Sequence, residues 1–508
     1  MNDNQLIRID IPPGAAHIIR VLREHGYEGF AVGGCVRDVL LGRVPSDWDI
    51  TTSARPEQVK ALFRRTVDTG IAHGTVTVLT DGDAFEVTTY RIDGEYEDAR
   101  HPKRVTFTPA LADDLERRDF TINAMAYSPE KGLVDLFDGI GDLKRGVVRC
   151  VGDAGERFSE DALRIMRAVR FAAQLGFSLD PDTRLAAARM AQTLTKISAE
   201  RVRDELVKLI CSDRPGMIDT ARQCGITGVV LPEFDRLFAV PLTGSSAEGK
   251  DKETAGEDMR WSTGSQAEAA GSRNEEEAGK GPGMCPENAG VHTLQTMENI
   301  READPEKRRL LRLTMLLHDI GKSEIRPIIR ETLPDGKSRE TGRSSGTELA
   351  YPGHARLSAA MAETVLRRLK ADNATIRTVT TLIRYHTDLP DRGAAQVRHL
   401  MRDVGKDLFP LWLLVKEADI LAGSPLRRAE KLEKLHRIQA IYRQAVNDGD
   451  PIGISDLAVT GTDLIADGMK PGKEMGSVLA ALLEEVLEEP SRNTKAYLIE
   501  RSRSLRKA

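Results

Sequence analysis

Residues 243–290 form a stretch that contains no leucine, isoleucine, valine or phenylalanine and is rich in glycine, serine, alanine and glutamate. Such a segment cannot bury enough apolar surface to offset the entropy lost when a chain becomes ordered. We therefore expect a disordered insert that interrupts the chain. Because 508 residues are too many for one hydrophobic core, folded domains are expected on both sides of it.

The composition narrows the class of protein. Hydrophobic residues make up 40% and charged residues 30% of the chain, which excludes a collagen-like, mucin-like or mainly disordered protein. The five cysteines form no CxxC pair, which argues against a cysteine zinc site and fits a reducing compartment. No signal peptide and no long uncharged apolar run is present, so a cytoplasmic protein without a membrane segment is expected.

Hydrophobic periodicity changes at about residue 155. Before that point, short runs such as 75–80 and 84–91 alternate as strands do, and helix-like runs lie between them. Beyond it, apolar residues recur every three or four positions, which is typical of amphipathic helices. The predicted fold class is α+β, with a small sheet-and-helix head followed by an all-helical body. The net charge of −5 excludes a generally basic nucleic-acid coat but leaves room for a local basic groove.

A glycine pair lies between a strand-like and a helix-like run near residue 33. Glycine lets the backbone approach an anion closely, and the N-terminus of the following helix offers free N–H groups. The guanidinium of Arg37 adds a forked donor for phosphate. The loop containing Gly34 and Arg37 is therefore a candidate phosphate-binding loop.

Asp47 and Asp49 follow in a strand-like run, DWDITT. Side chains two positions apart on a strand point to the same face, where two carboxylates repel each other unless a divalent cation lies between them. Mg²⁺ prefers a few carboxylates together with substrate phosphate oxygens, and two such ions can activate a hydroxyl and stabilise a leaving pyrophosphate. The alternative is a pair of surface loop acids without a ligand.

The chain resembles class II tRNA nucleotidyltransferases and bacterial poly(A) polymerases in a series of ordered blocks. The blocks are GGCVRD with DWDITT, FEVTTYR at 85–91, a flexible-loop pattern at 93–102, RRDFTINA at 117–124, EDALR at 160–164, ER with a later Glu at 200–205, and a C-terminal region at 456–493. The resemblance implies template-independent addition of CCA to the 3′ end of tRNA from CTP and ATP with Mg²⁺. A poly(A) polymerase is the alternative within the same chemistry, and the flexible-loop block favours addition of the complete CCA.

The resemblance also implies roles for individual residues. Asp47 and Asp49 would be catalytic and hold Mg²⁺, and Gly34 and Arg37 would hold the triphosphate. Arg118 would contact the sugar and phosphates of the nucleotide; its alternative role is a salt bridge to Asp119.

For other side chains in these blocks, two different roles are possible. Glu86 is either a third acid beside the aspartate pair or a partner of a neighbouring arginine. Asp161 and Arg164 would share a helix face and read the Watson–Crick edge of C or A, unless they form an ordinary intrahelical salt bridge. Arg167 and Arg170 continue that stripe, either as a phosphate clamp or as a solvated face.

A second cluster combines histidines and acids in the helical body. Neutral imidazole and carboxylate together suit a divalent transition metal, and the alternative is a set of buried histidines in a helical core. The order of the residues resembles HD-domain phosphohydrolases, in the longer pattern that can hold two metals. The members of this HD cluster are His292, His318, Asp319, His354, His386 and Asp419.

Together these patterns predict five segments and a tRNA-binding enzyme. A hypothesis of another class makes the head an RNA-binding module and the HD domain the main enzyme, a phosphohydrolase. The segments are a catalytic nucleotidyltransferase head at 1–155, a helical neck that binds the base and RNA at 156–242, the insert at 243–290, the HD domain at 291–425 and an RNA-binding helical tail at 426–508.

Overall fold

The computed structural model describes residues 7–80, 82–93, 105–243, 286–332, 338–340, 349–391 and 393–506. The chain forms two compact units. The first comprises Met1–Asp235 with Val365–Ala371, and the second comprises Arg236–Thr364 with Asp372–Ala508. Most of the predicted insert lies outside the described residues. Its predicted end is described: a helix begins at Ala289, where the side chain of Asn288 accepts a hydrogen bond from the amide of Val291.

The first unit is built on a mixed seven-stranded sheet with the strand order β3-β4-β5-β2-β1-β8-β9. Within it, β2 and β5 run parallel and the other neighbouring pairs run antiparallel. The strands of this unit are β1 (Gly29–Val32), β2 (Ile50–Thr52), β3 (Thr66–Gly70), β4 (Thr75–Thr80), β5 (Asp83–Thr89), β6 (Arg91–Asp93), β7 (Val105–Phe107), β8 (Met125–Ser128), β9 (Gly132–Asp135), β10 (Val147–Val148) and β11 (Ser178–Leu179).

Alternation along the strands places one face of the sheet on the core. Val76 and Val78 of β4 are buried and lie in register with Val87 and Phe85 of β5. The helices of this unit are α1 (Pro13–Glu24), α2 (Gly34–Leu40), α3 (Pro56–Leu62), α4 (Leu111–Glu116), α5 (Gly139–Arg145), α6 (Ala154–Glu160), α7 (Leu163–Leu175), α8 (Pro181–Met190), α9 (Ala199–Ile210), α10 (Ile218–Gln223), α11 (Ile226–Val230) and α12 (Pro232–Arg236). Among them α7 packs against α9 through their apolar faces.

The second unit is mainly helical and carries a small antiparallel sheet with the strand order β13-β12-β14. Its helices α13, α14, α16 and α18 pack on one another around fully buried side chains such as Trp412 and Phe409. The elements are α13 (Ala289–Asn299), α14 (Pro305–Leu317), β12 (Ile328–Thr332), β13 (Ser338–Glu340), β14 (Leu349–Ala350), α15 (His354–Arg368), α16 (Asn373–Tyr385), α17 (Ala394–Val404), α18 (Phe409–Ala422), α19 (Arg428–Asp448), α20 (Gly461–Ala466), α21 (Lys473–Glu488) and α22 (Lys495–Leu505).

The predicted α+β class, with a sheet-and-helix head followed by a helical body, is confirmed. Within the described part of the chain, no helix is long and apolar enough to cross a membrane.

Candidate active site and candidate metal centre

The predicted phosphate loop connects β1 to α2. Gly33 has φ of 83°, in the left-handed region that favours glycine. A side chain there would also meet its neighbours, because an added Cβ would lie 2.9 Å from Nη1 of Arg118. The glycine therefore permits both the turn and the close approach of this guanidinium.

The two aspartates lie directly before β2 and not within it. The strand begins at Ile50, and only the carbonyl of Asp49 joins the sheet, by accepting a hydrogen bond from the amide of Val32 at 3.0 Å. The prediction that both aspartates project from one strand is therefore wrong, because regular pairing with β1 starts at Ile50. Both residues are exposed, and their carboxylates are close enough to interact.

The electrostatics of Asp49 reflect a cluster of acids. Partial desolvation, the charge of Asp47 and, to a smaller extent, the charge of Glu86 raise the pKa of Asp49 to about 6, against the opposing effect of Arg118. The register of the sheet explains why Glu86 influences Asp49: β5 runs parallel to β2, and Val87 lies beside Ile50. This geometry favours Glu86 as a third acid. Carboxylates that repel one another in this way suit a divalent cation.

Arg118 lies beside the acids and does not bind Asp119. Its Nη2 is 3.5 Å from Oδ2 of Asp114, and its Nε has no hydrogen-bond partner among the described residues. Burial lowers the pKa of Arg118, and the carboxylate of Asp114 opposes that effect. The alternative salt bridge to Asp119 is therefore excluded in this structure, and the guanidinium keeps an unused donor.

Asp114 is a site residue that the sequence reasoning missed. It is fully buried, and it accepts hydrogen bonds from Thr51 at 3.0 Å and from Arg117 at 3.0 and 2.7 Å. Although burial opposes ionisation, Arg117 and Arg118 hold the pKa of Asp114 below its usual value. Its spacing could have indicated this role, because Arg117 and Arg118 follow it by three and four positions, within reach on one helical turn.

A chain of hydrogen bonds connects the phosphate loop to α7. Arg37 donates to Oδ1 of Asn123 at 2.6 Å, and the amide nitrogen of Asn123 donates to Asp119 at 3.1 Å. The other oxygen of Asp119 accepts from Arg167 at 2.9 and 2.6 Å. Although burial opposes ionisation, Arg167 and Asn123 lower the pKa of Asp119 to about 2. Arg37 also binds its neighbour Asp38, at 2.8 Å.

Phe171 gathers three guanidinium groups around one aromatic ring. The Cζ atoms of Arg37, Arg167 and Arg170 lie 5.0, 5.3 and 3.8 Å from its centroid. Arg170 is 7% exposed and donates to Glu205 at 2.5 Å, so the alternative of a solvated arginine row is wrong for this residue. Burial lowers the pKa of Arg170, against the effect of the Glu205 carboxylate. Phe171 could not be singled out from the sequence, because an aromatic residue on an amphipathic helix usually packs in the core.

Asp161 and Arg164 do not lie on one continuous helix. Helix α6 ends at Glu160 and α7 begins at Leu163, so Asp161 occupies the break with φ of −139° and ψ of 103°. Its carboxylate accepts from the amide of Leu163 at 3.0 Å, which starts α7. The predicted shared helix face is therefore wrong.

Each of the two residues has another partner in the structure. Asp161 accepts from Arg201 of α9 at 3.3 and 2.7 Å. Arg164 donates to Glu160 at 2.5 Å and to the carbonyl oxygens of Arg117 and Arg157 at 3.0 and 3.2 Å. The ordinary salt bridge between Asp161 and Arg164 is therefore also wrong. The flexible-loop pattern falls largely on residues 94–104, outside the described residues.

In the second unit, the six residues of the HD cluster come together from helices α13, α15 and α18 and from the positions directly after α14 and α16. Four imidazoles have the same arrangement, with Nδ1 facing a backbone carbonyl oxygen. The contacts are His292 with Ala422 at 3.3 Å, His318 with Met315 at 2.7 Å, His354 with Tyr351 at 2.6 Å and His386 with Ile383 at 2.6 Å. An Nδ1–H donated to a carbonyl leaves the Nε2 lone pair free, which is how metal-binding histidines are oriented.

Asp319 lies between two pairs of these histidines. Its Oδ2 is 3.2 Å from Nε2 of His318 and 3.7 Å from Nε2 of His292. Its Oδ1 is 3.3 Å from Nε2 of His354 and 3.6 Å from Nε2 of His386. Although burial opposes ionisation, His318 and Lys322 hold the pKa of Asp319 well below its usual value. One carboxylate thus presents an oxygen to each pair.

The donor set of the HD cluster fits a divalent metal ion. Two trios have ligand atoms within 4.8 Å of one another: His292 with His318 and Asp419, and His318 with Asp319 and His386. Nε2 of His318 and Oδ1 of Asp319 are buried and lack a hydrogen-bond partner among the described residues. Burial lowers the pKa of His386 to about 4, which keeps its imidazole neutral as a metal ligand must be.

Comparisons with known proteins identify the family of the chain. The Poly A polymerase head domain matches residues 29–149, the RNA and SrmB binding site of polymerase A matches 176–238, and tRNA nucleotidyltransferase domain 2 matches 353–501. A CCA-adding enzyme of Lactobacillus delbrueckii subsp. bulgaricus is 55% identical over 195 residues, which are 38% of this chain and 49% of that protein. The chain belongs to the class II family of tRNA nucleotidyltransferases and bacterial poly(A) polymerases.

Other members of the class II family extend the likeness. The CCA-adding enzyme of Lactiplantibacillus plantarum is 50% identical over 222 residues, which are 44% of this chain and 53% of that protein. The chain thus spans about half the length of these curated relatives. A crystal structure of the Bacillus stearothermophilus CCA-adding enzyme with CTP is 28% identical, covers 98% of this chain and 100% of its own, and has a TM-score of 0.66. The predicted family is confirmed.

Proposed function

We propose that this chain adds C, C and A to the 3′ end of tRNA without a template, using CTP and ATP and releasing pyrophosphate. The observation that carries the proposal is the arrangement in the first unit: an acid cluster with Arg118 beside it, and a chain of hydrogen bonds that runs from Arg37 of the phosphate loop through Asn123 and Asp119 to Arg167 of α7. The similarity to curated CCA-adding enzymes and to a CCA-adding enzyme solved with CTP supports the proposal.

Asp47 and Asp49 would hold Mg²⁺, with Glu86 as a third acid. Bound there, Mg²⁺ would activate the terminal 3′ hydroxyl of the RNA and stabilise the charge of the departing pyrophosphate. The protein contributes the mutual repulsion of these carboxylates, which a divalent cation relieves.

Arginines from three segments would bind the triphosphate beside these acids, with Gly34 at the loop. The side chains of Arg118 and Arg167 are 19% and 34% exposed, so both guanidinium groups can donate to phosphate or sugar oxygens. Arg37 and Arg170 are buried behind them, where they contribute positive charge from fixed positions.

Asp161 and Arg164 would read the base. C and A both present an amino donor next to a ring-nitrogen acceptor, so a carboxylate acceptor and a guanidinium donor match both and reject U and G. Arg201 of α9 binds Asp161, and Glu160 of α6 binds Arg164, so residues outside α7 hold both side chains in place. The base edge would thus be read by positioned protein groups in place of a template.

The helical body and tail would hold tRNA by its shape and phosphates, since the A-form acceptor arm offers little sequence information. In the tail, Arg501 binds Glu485, and Arg503 and Arg506 bind Asp467. The charge of these arginines is therefore partly neutralised. We therefore assign the RNA contacts to the surface of the tail as a whole and not to these three residues alone.

The experiment that tests the function uses tRNA transcripts that end before CCA, at C or at CC, with CTP and ATP given singly and together. Ordered incorporation of C, C and A that then stops supports the proposal. Continued addition of A without use of CTP would identify a poly(A) polymerase instead. No incorporation with either nucleotide would contradict both.

We predict that nucleotide addition at low Mg²⁺ falls as the pH drops through about 6, by about tenfold for each further pH unit. The sign follows because the raised pKa leaves Asp49 protonated below that pH, and a neutral carboxyl cannot hold the cation. Glu86→Gln removes a repelling charge and should move this fall to lower pH, as should added Mg²⁺. Glu57→Gln, on exposed α3, is the matched control. An identical profile for Glu86→Gln and the parent would contradict this account.

The HD cluster supports a second proposal: it binds one or two divalent transition metals, and its resemblance suggests phosphohydrolase chemistry. The buried unpaired atoms of His318 and Asp319 are the observation that favours it. We predict that His318→Ala removes this metal, measured by elemental analysis of the purified full chain, and leaves CCA addition within about twofold because the acid cluster lies in the other unit. Unchanged metal content in the variant would contradict the site.

A further inference from the structure

The carboxylates of the HD cluster are paired with lysines as well as with histidines. Lys322 donates to Oδ2 of Asp319 at 2.6 Å, and Nζ of Lys416 is 3.5 Å from Oδ2 of Asp419. The two ammonium groups balance the charge of the two carboxylates in this cluster. A metal ion would therefore enter a site in which protein cations already neutralise its anionic ligands.

The two lysines differ in what else they do. Lys416 is 5% exposed and donates to the carbonyl oxygen of His386 at 2.6 Å, so it connects α18 to the end of α16. The side chain of Lys322 is 13% exposed, and its ammonium lies 5.9 Å from the centroid of the Tyr351 ring. Lys322 can thus leave Asp319 toward an aromatic face and solvent, whereas Lys416 is tied into the structure.

We propose that Lys322 competes with the divalent cation for Asp319 and sets the metal affinity of the HD cluster. This inference rests on the proposed metal-binding role of the cluster. A metal ligated by Oδ2 of Asp319 would share the oxygen that accepts the Lys322 hydrogen bond, so the two cations would lie close together and repel each other across a poorly screened distance. Metal loading therefore requires the ammonium to withdraw, and that requirement weakens binding.

Removing Lys322 changes the metal affinity in opposite directions under the two possible roles of this residue. If Lys322 only held Asp319 in place, its removal would loosen the ligands and weaken metal binding. If it competes, Lys322→Met should bind metal more tightly, by about tenfold or more, the usual weight of a hydrogen bond between charged groups. Lys322→Arg keeps the charge and should bind like the parent.

The test is a calorimetric titration of the full chain with Mn²⁺ after chelator treatment, in an Asp47→Asn/Asp49→Asn background that removes the other cation site. Lys307→Met, an exposed lysine on the helix that leads to His318, is the matched control and should leave the affinity unchanged. Lys322→Gln provides a second neutral variant, and thermal melting verifies that each protein is folded.

Three outcomes separate the two proposals. Tighter binding in both neutral variants, with parental affinity for Lys322→Arg, supports the inference. Equal or weaker binding in the neutral variants overturns it and leaves the HD cluster as a metal site. Absence of Mn²⁺ binding in the parent background, with no change on adding His318→Ala, overturns the metal site itself and this inference with it.

Discussion

Asp49→Asn is expected to lower the rate of nucleotide addition by at least about a thousandfold, because under the proposed function it would remove a charged ligand of the metal that stabilises the transition state by several kcal/mol. Asparagine keeps the shape of the side chain, and the backbone carbonyl that pairs with Val32 is unaffected. The measurement is single-turnover addition of C to tRNA lacking CCA, with saturating CTP and tRNA, so that a change in the chemical step is separated from weaker binding.

Asp68→Asn is the matched control for this variant. Asp68 is a carboxylate on the edge strand β3 of the same sheet, about half exposed and 2.9 Å from Lys60. A surface ion pair of this kind contributes about 0–1 kcal/mol to stability, so activity should stay at the parental level. If Asp49→Asn kept full activity while His318→Ala lost it, the head would be an RNA-binding module and the HD domain the enzyme.

Arg170→Met is expected to destabilise the first unit by about 3–5 kcal/mol, because it leaves Glu205 as a buried charge without its partner. Both residues are under 10% exposed and their charged atoms lie 2.5 Å apart. Scanning calorimetry of the full chain measures this effect as a shift of one unfolding transition, since the pair lies within one compact unit.

The double variant Arg170→Met/Glu205→Leu tests the reason for that loss. It replaces both charges by apolar groups of similar size, so most of the stability should return, although nucleotide binding should stay weak without the guanidinium. If the double variant were as unstable as Arg170→Met alone, lost packing around Phe171 and not the unpaired carboxylate would be the cause.

The fold class could be predicted from the sequence because periodicity reports which face of an element is buried. The alternation in β4 and β5 and the apolar stripes of α7 and α9 are local properties of the chain. The HD cluster was equally accessible, since the residue types themselves carry the chemistry. What periodicity could not give is the end of each element, so the aspartates were assigned to a strand that begins at Ile50.

The partners of the site residues could not be predicted, because they depend on contacts between distant segments. Asn123 joins Arg37 to Asp119, and through it to Arg167, only after α2, the RRDFTINA turn and α7 have packed together. The pairing of Asp161 with Arg201 spans 40 positions and became visible only in the structure. Neighbours in sequence suggested the wrong partners in both regions, namely Asp119 for Arg118 and Arg164 for Asp161.

Under the proposed function, the break between α6 and α7 would have a consequence for fidelity. Asp161, the proposed base-reading carboxylate, is anchored by Arg201 of α9, so the choice of nucleotide would be linked to how firmly α9 packs in the neck. Turnover and accuracy would then depend on different parts of the molecule: the acid cluster would set the rate of bond formation, and the packing of α9 would set which nucleotide is selected.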